Sequence, residues 1–368
     1  MNRAGKHVCL FVPTLEGGGA ERVAVTLANE FARRGLRVTM LLVRSGGVYT
    51  ADVAAGVEIV ELGGGGVMGA IPALRRWLRR ERPAAVLSLM RHTNVAAVIA
   101  HLLAGRCSRL VVSERVSLAH QHENLRDRLV FWLAKFAYRR ADHVTTVTVA
   151  MQREIMGRTG LPKERVTAIY NPVIDPAFLQ RLEDHEARLH PWAIAPKEAS
   201  LIAAAGRLEW QKGHDVLLDA FSQLRALRPE ARLVIFGEGA LRGALEAQAA
   251  RLGLTAAVSL AGFWANPFPS IARSDLFVLT SRSEGLPGTL IQAMACGVPV
   301  VSTDCPTGPA EILEDGRWGQ LVPVDDAKAL ARAMDVALSA ARHPDVKARS
   351  SAFGADAIVD RYLKVLFD

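Results

Sequence analysis

Residues 7–43 read HVCLFVPTLEGGGAERVAVTLANEFARRGLRVTMLLV, and the order of textures in this stretch decides the fold. An apolar run from Val8 to Val12 ends in a proline and, soon after, three glycines. Helical periodicity follows, and a second apolar run closes the stretch. Runs that stay apolar without alternating belong to strands buried on both faces, as in a parallel sheet covered by helices. The texture recurs at PAAVLSLM (83–90), RLVVSE (109–114) and HVTTVTV (143–149). It pauses over AIYNPVIDPAFLQRLEDHEARLHPWAIAPKEA (168–199), which is rich in proline and charge. It restarts with LIAAAGRL (201–208), a helical HDVLLDAFSQLRAL (214–227), ARLVIFGEG, VSLAGF, LFVLTS and VPVVSTD. Strands alternating with helices predict doubly wound parallel α/β sheets. The pause predicts two of them, joined near Asn171–Pro176. The expected division is 1–173, 174–350 and a tail, 351–368, whose amphipathic helix could pack back on either domain, the N-terminal one by the division adopted here. In such sheets ligands bind at the carboxyl ends of the strands.

Bulk properties agree. With 368 residues the chain exceeds one ordinary core. Its 50% hydrophobic and 22% charged content describes a folded globular protein. Cys9, Cys107, Cys296 and Cys305 lie far apart and form no CxxC pair, so they read as reduced thiols of a cytosolic protein. Val8–Val12 is too short for a signal-peptide core. The longest apolar region, 86–105, is interrupted by Arg91, His92 and Asn94, so no bilayer span is expected. Residues 1–173 hold 25 Lys/Arg against 13 Asp/Glu, and residues 174–368 hold 20 against 24. A basic first half suggests that this half alone approaches something polyanionic, phosphates or a membrane surface.

Three motifs carry chemistry. The glycines of LEGGGAERV lie between a strand and a helix, where bare backbone and the helix dipole favour a phosphate. The same turn can be purely architectural, and without GxGxxG it is not a dinucleotide fingerprint. In AAAGRLEWQKGHDVLLDAF, Arg207 and Lys212 leave a strand end and flank a helix start, where two cations could neutralise a departing diphosphate; a solvated loop with two charges is the plainer alternative. In SRSEGLPGTLIQAMACGVPVVSTDCPTGPAEIL, Glu284 precedes a Gly285-Leu286-Pro287-Gly288 turn into a helix. Its carboxylate can accept hydrogen bonds from sugar hydroxyls, or simply favour the helix dipole.

Taken jointly, the second and third motifs resemble the retaining nucleotide-sugar glycosyltransferases of family 4, and the resemblance runs from GGGAERV through YNPV and GRLEWQKG to PTGPAEIL. It implies a GT-B fold, two Rossmann-like domains facing a central cleft. It implies that Arg207 and Lys212 meet the donor diphosphate and that Glu284, the first acid of an E-x7-E motif, holds the transferred sugar. Gly285, Leu286, Pro287, Gly288 and Thr289 would form the loop whose amides reach the phosphates, with Leu290 beside the nucleoside. Gly18 and Gly19 would face the sugar and phosphates, and Gly262, Phe263 and Trp264 would lie where backbone meets the base. The chain departs from the pattern at Gln292, where the second acid should hold the ribose. An amide still binds a diol, with a neutral hydrogen bond of about 1 kcal/mol instead of about 1.5–3 for a charged one. No Asp-x-Asp appears, so no metal or other cofactor is expected beyond the nucleotide-sugar substrate, UDP-linked by family frequency.

The acceptor side offers Glu114, Arg115, His120 and His122, with His120 a candidate for orienting an acceptor hydroxyl. Attack from the front face needs no separate base, because the leaving phosphate can take the proton. Basic and aromatic residues mingle over Arg126–Arg140 and in RRWLRRERP (75–83). That mixture fits an interfacial helix on anionic lipid as well as an ordinary helix packed on a sheet. The expected partners are a nucleotide-sugar, a polyprenyl-diphosphate-linked or other glycan acceptor, and the inner face of the cell membrane. Nucleic acid is not expected, since no binding module is present. Other GT-B activities, a sugar phosphorylase or an epimerase, remain open, as does a catalytically silent sugar-nucleotide binder, suggested by Gln292.

Overall fold

The computed structural model describes residues 5–116, 125–194 and 199–368, with only the backbone of 125–131. The chain forms two compact units, residues 1–172 together with 354–368, and residues 173–353.

The first unit is built on a parallel sheet of β1 (His7–Val12), β2 (Arg37–Leu42), β3 (Val57–Glu61), β4 (Ala85–Ser88), β5 (Arg109–Glu114), β6 (His143–Thr146) and β7 (Val166–Ala168), in the order β3-β2-β1-β4-β5-β6-β7. Successive side chains of β1 point to opposite faces. Cys9 and Phe11 enter one core with Leu74 and Trp77 of α2 (Ile71–Glu81), Val95 and Val98 of α3 (Arg91–Leu103) and Tyr138 of α4 (Leu125–Arg140). Val8, Leu10 and Val12 enter the other with α1 (Gly19–Arg33). Ala24, Leu27, Ala28 and Phe31 make one fully buried stripe of α1. Gly35, at φ 80°, ends that helix in backbone that other residues adopt only under strain.

The last helix of the chain, Ala355–Phe367, completes the second face. Ile358, Val359, Tyr362, Leu363 and Leu366 are all buried against β1 and its neighbours. At about 1.5–3 kcal/mol for each large apolar side chain, that burial outweighs the exposed pairs Arg33–Asp356 and Arg34–Asp360, both at 2.6 Å, which contribute about 0–1 kcal/mol each.

The second unit holds β8 (Leu201–Ala205), β9 (Arg232–Phe236), β10 (Val258–Gly262), β11 (Leu276–Leu279), β12 (Val300–Thr303) and β13 (Gln320–Val322), all parallel, in the order β10-β9-β8-β11-β12-β13. Ile202, Ala204 and Ile235 pack against Leu217, Phe221 and Leu224 of α5 (His214–Leu227) and against Leu330 and Met334 of a later helix. Strand order reverses between β1 and β4 in one unit and between β8 and β11 in the other. At such a switch point neighbouring crossovers leave in opposite directions and open a crevice beyond the strand ends. Among the described residues, no helix is long and apolar enough to cross a membrane.

Candidate active site

The β8/β11 switch point brings Lys212, Asp215, Arg282 and Glu284 together. β8 exits through Gly206 into a loop that carries Arg207, makes a short 3-10 turn over Trp210–Lys212 and ends at Gly213, the N-cap of α5. Gly213 sits at φ 64°, and a Cβ there would lie 2.1 Å from the Thr280 carbonyl, so only glycine lets the loops approach this closely. The loop following β11 is stapled to it. Gln211 donates to the Ser283 carbonyl (2.7 Å), the Arg282 amide to the Gln211 carbonyl (2.8 Å) and the Thr280 hydroxyl to the Lys212 carbonyl (2.9 Å). Arg282, 9% exposed, donates to the Trp210 carbonyl, to both oxygens of Asp215 and to Asp325. Burial would raise the pKa of Asp215, but hydrogen bonds and charge from Arg282 outweigh it and leave the pKa below the usual value.

On this platform Lys212 Nζ donates to Glu284 Oε1 at 2.6 Å, with 18% and 10% of the two side chains exposed. The Ser281 hydroxyl donates to the same oxygen at 2.6 Å, and the Thr307 hydroxyl donates to the Glu284 carbonyl. Both side-chain bonds use Oε1, so Oε2 keeps its acceptor capacity for a ligand hydroxyl. Cys305 is buried, and burial, then the Glu284 charge, pushes its thiol up to about 12, which excludes a nucleophilic thiolate here.

Immediately after Glu284 the chain turns into α6 (Gly288–Ala295). Its N-cap is Pro287, which has no side-chain acceptor, and its first turn carries no acid. Among the described residues nothing accepts from the amides of Gly288, Thr289 and Leu290, so these donors and the positive end of the helix face outward together. Leu286 (7% exposed), Pro287 and Leu290 (0%) are buried beneath the turn, so the Leu290 side chain is not presented at its surface. Gln292, one turn further on, is half-buried, and among the described residues nothing bonds its side-chain amide.

The other expected residues fall elsewhere. Arg207 is bound to its neighbour Glu209 at 2.8 Å with 66% of the side chain exposed, and no bond joins it to Lys212 or Glu284. Gly262 closes the edge strand β10 at φ 82° and accepts from the Gly237 amide at 2.9 Å. Phe263 beside it is 77% exposed, whereas the Trp264 indole is turned inward, donating to the Ala261 carbonyl at 3.0 Å and packing on Phe236 and Arg188.

In the first unit, the Gly17 and Gly18 amides already donate to Glu21, at 2.8 and 3.0 Å, and Thr14 donates to the same carboxylate at 2.7 Å. Glu21 is 7% exposed. The Gly18 amide is therefore committed to Glu21, and among the described residues the Gly19 N–H has no acceptor. Glu114 and Arg115 are buried. Glu114 pairs with Arg91 at 2.9 Å and accepts from Tyr138, and Arg115 donates to Asn171 and Tyr362. Among the described residues these bonds brace the end of β5. His120 and His122 lie outside the described residues.

Sequence reasoning missed Ser281, Arg282, Asp215, Thr307 and Glu21. Glu21 alone had a local signal, since an acid three residues after an N-cap is capping-box spacing. Ser281 lies three residues from Glu284 but in no capping pattern, and Arg282, Asp215 and Thr307 act between segments distant in sequence.

Two family models match the chain, Glycosyltransferase Family 4 over residues 17–175 and Glycosyl transferases group 1 over residues 199–340. An uncharacterized glycosyltransferase of Methanocaldococcus jannaschii is 33% identical over 191 residues, 52% of this chain and 47% of the archaeal protein, so this chain spans about half of that relative's length. An N-acetylgalactosamine-N,N'-diacetylbacillosaminyl-diphospho-undecaprenol 4-alpha-N-acetylgalactosaminyltransferase of Campylobacter jejuni is 28% identical over 281 residues, 74% of this chain and 73% of that enzyme. HepE of Anabaena, solved in complex with UDP, superposes with a TM-score of 0.79 at 20% identity over 98% of this chain and 99% of its own, which establishes a shared fold.

Proposed function

The chain belongs to the family 4 glycosyltransferases and has their GT-B fold, and from that premise we propose that it moves a sugar, with retention of configuration, from a UDP-linked donor to a polysaccharide or lipid-linked glycan acceptor. The observation that carries the reading is the Lys212–Glu284 pair, held at 2.6 Å beside the uncapped start of α6 at a strand switch point. The donor diphosphate binds the amides of Gly288–Leu290 with Lys212 and Arg207, and Glu284 accepts from a hydroxyl of the transferred sugar through Oε2. In the reaction the bond between the anomeric carbon and the β-phosphate oxygen breaks while the acceptor oxygen bonds to that carbon from the same face. The acceptor proton passes to the departing phosphate. Fixed donors and cations aimed at the charge that develops there supply the acceleration. They supply the charge that a divalent ion would otherwise provide, so the reaction is metal-independent. The acceptor class is that named for the Campylobacter relative.

The basic first unit approaches an anionic membrane through α4. There Trp132 (65% exposed) and Phe136 (49%) stand outward among Lys135, Arg139 and Arg140, whereas Trp77 of α2 is 5% exposed and belongs to the core. Incubation with radiolabelled UDP-sugars and a polyprenyl-diphosphate-linked acceptor tests the activity, and the anomeric proton coupling of the product tests retention. Donor binding without turnover across a broad panel would identify a silent binder instead.

A further inference from the structure

His214 is the first residue of α5 and is 4% exposed, yet among the described residues neither of its ring nitrogens makes a hydrogen bond of normal geometry, although the Gly206 and Arg207 carbonyls lie close to the ring. A polar ring buried in this way destabilises the fold relative to an apolar ring of similar size, so packing does not explain it. Side chains in a helix lean toward its N-terminus, which sets this ring beneath the 206–213 loop carrying Arg207 and Lys212. Burial first, then the Lys212 charge, lowers its pKa to about 4, against an opposing pull from the Gly206 carbonyl, the Asp215 charge and the Arg207 carbonyl. The ring is therefore neutral at physiological pH, with one N–H to give and those two carbonyls facing it. α5 adds an N-terminus whose cap, Gly213, has no side chain.

We propose that His214 is a positioning residue of the donor site, whose ring N–H donates to the carbonyl of Gly206 or Arg207 when a diphosphate is bound, holding Arg207 and Lys212 toward it. The inference rests on the donor reading above and goes beyond it, since His214 touches no ligand and acts through the loop. It separates stability from binding, because the imidazole weakens the fold that it equips.

Calorimetric binding of UDP, uridine and inorganic pyrophosphate to wild type, His214→Phe and His214→Gln, with thermal unfolding of each, tests it. His214→Phe is expected to unfold at the same temperature or higher and to bind uridine as wild type does. It should bind UDP and pyrophosphate about ten-fold more weakly, and His214→Gln, which keeps an N–H donor, should recover most of that loss. In wild type, pyrophosphate should slow the exchange of the His214 ring N–H with solvent, a readout that needs no variant. Diphosphate binding unchanged in His214→Phe, uniform weakening toward all three ligands with a lower unfolding temperature, or an unmoved ring N–H would overturn the proposal. Wild type binding none of the three would overturn the donor reading itself, and the inference with it.

Discussion

Each unit has a glycine-rich turn leading from a central strand into a helix at the switch point of its sheet, and the two turns are finished differently. In the first, Glu21 occupies the third position of α1 and takes the amides of Gly17 and Gly18. A buried carboxylate there cancels the helix dipole and would repel an anion. In the second, Pro287 leaves the start of α6 uncapped, its first turn has no acid, and the carboxylate just before the turn, Glu284, is tied to Lys212. Glycine and strand-to-helix geometry are common to both, so the two turns differ in where the neighbouring carboxylate is directed, and the proposed binding role of the second rests on that difference.

The contrast breaks most readily at Lys212. Lys212→Ala removes a cation from the open turn and leaves Glu284 unpaired. Its kcat/KM for the donor should fall about 10²–10³-fold, measured by initial rates on protein shown to be folded by circular dichroism, whereas Glu21→Gln in the closed turn should leave donor kinetics within a factor of about two.

Acid should reveal a property the units share. His143, whose ring bonds to Thr167 at 2.9 Å, and His214 both have pKa values lowered to about 4 from 6.5, His143 by burial and then by Arg109 and Arg165. A depressed histidine stays neutral in the fold while the unfolded chain takes up a proton. Stability is therefore full above about pH 6.5 and declines toward pH 4, by up to about 3 kcal/mol for each histidine. Denaturant melts across that range check the sign, and a flat profile would contradict it.

Smaller effects sharpen the comparison. Glu21→Gln should cost about 1 kcal/mol of stability as a lost cap, seen as an earlier melt. Gln292→Glu should tighten UDP binding several-fold by replacing a neutral hydrogen bond with a charged one; calorimetry that detects no change would remove Gln292 from the ribose assignment. At the small end, chelation with EDTA should leave initial rates unchanged if, as proposed, Arg207 and Lys212 supply the charge.

The alternation of apolar runs made the two sheets legible because parallel strands buried on both faces carry no polar interruptions. Three strands escaped it. β3, with Glu58 and Glu61, and the three-residue β7 and β13 lie on sheet edges, where one side meets solvent and charge is tolerated. The tail helix was readable as amphipathic, but nothing in its sequence says which sheet Tyr362 and Leu366 will cover. In the site, motif and resemblance pointed to the loops bearing Arg207, Lys212 and Glu284. They did not disclose which groups within those loops pair, because the Lys212–Glu284 contact spans 72 positions and depends on the Arg282–Asp215 brace and on Gly213 beneath Thr280. Phe263 and Trp264 show the same limit. Adjacent aromatics were indistinguishable as letters, and one faces solvent while the other fills a cluster.

A crystal structure of the protein soaked with a UDP-sugar tests the central claim most directly. The diphosphate should lie within hydrogen-bonding reach of Lys212, Arg207 and the amides of Gly288–Leu290, with the sugar against Glu284. A nucleotide bound instead at the Gly17–Gly19 turn, or anywhere away from these groups, would contradict the account.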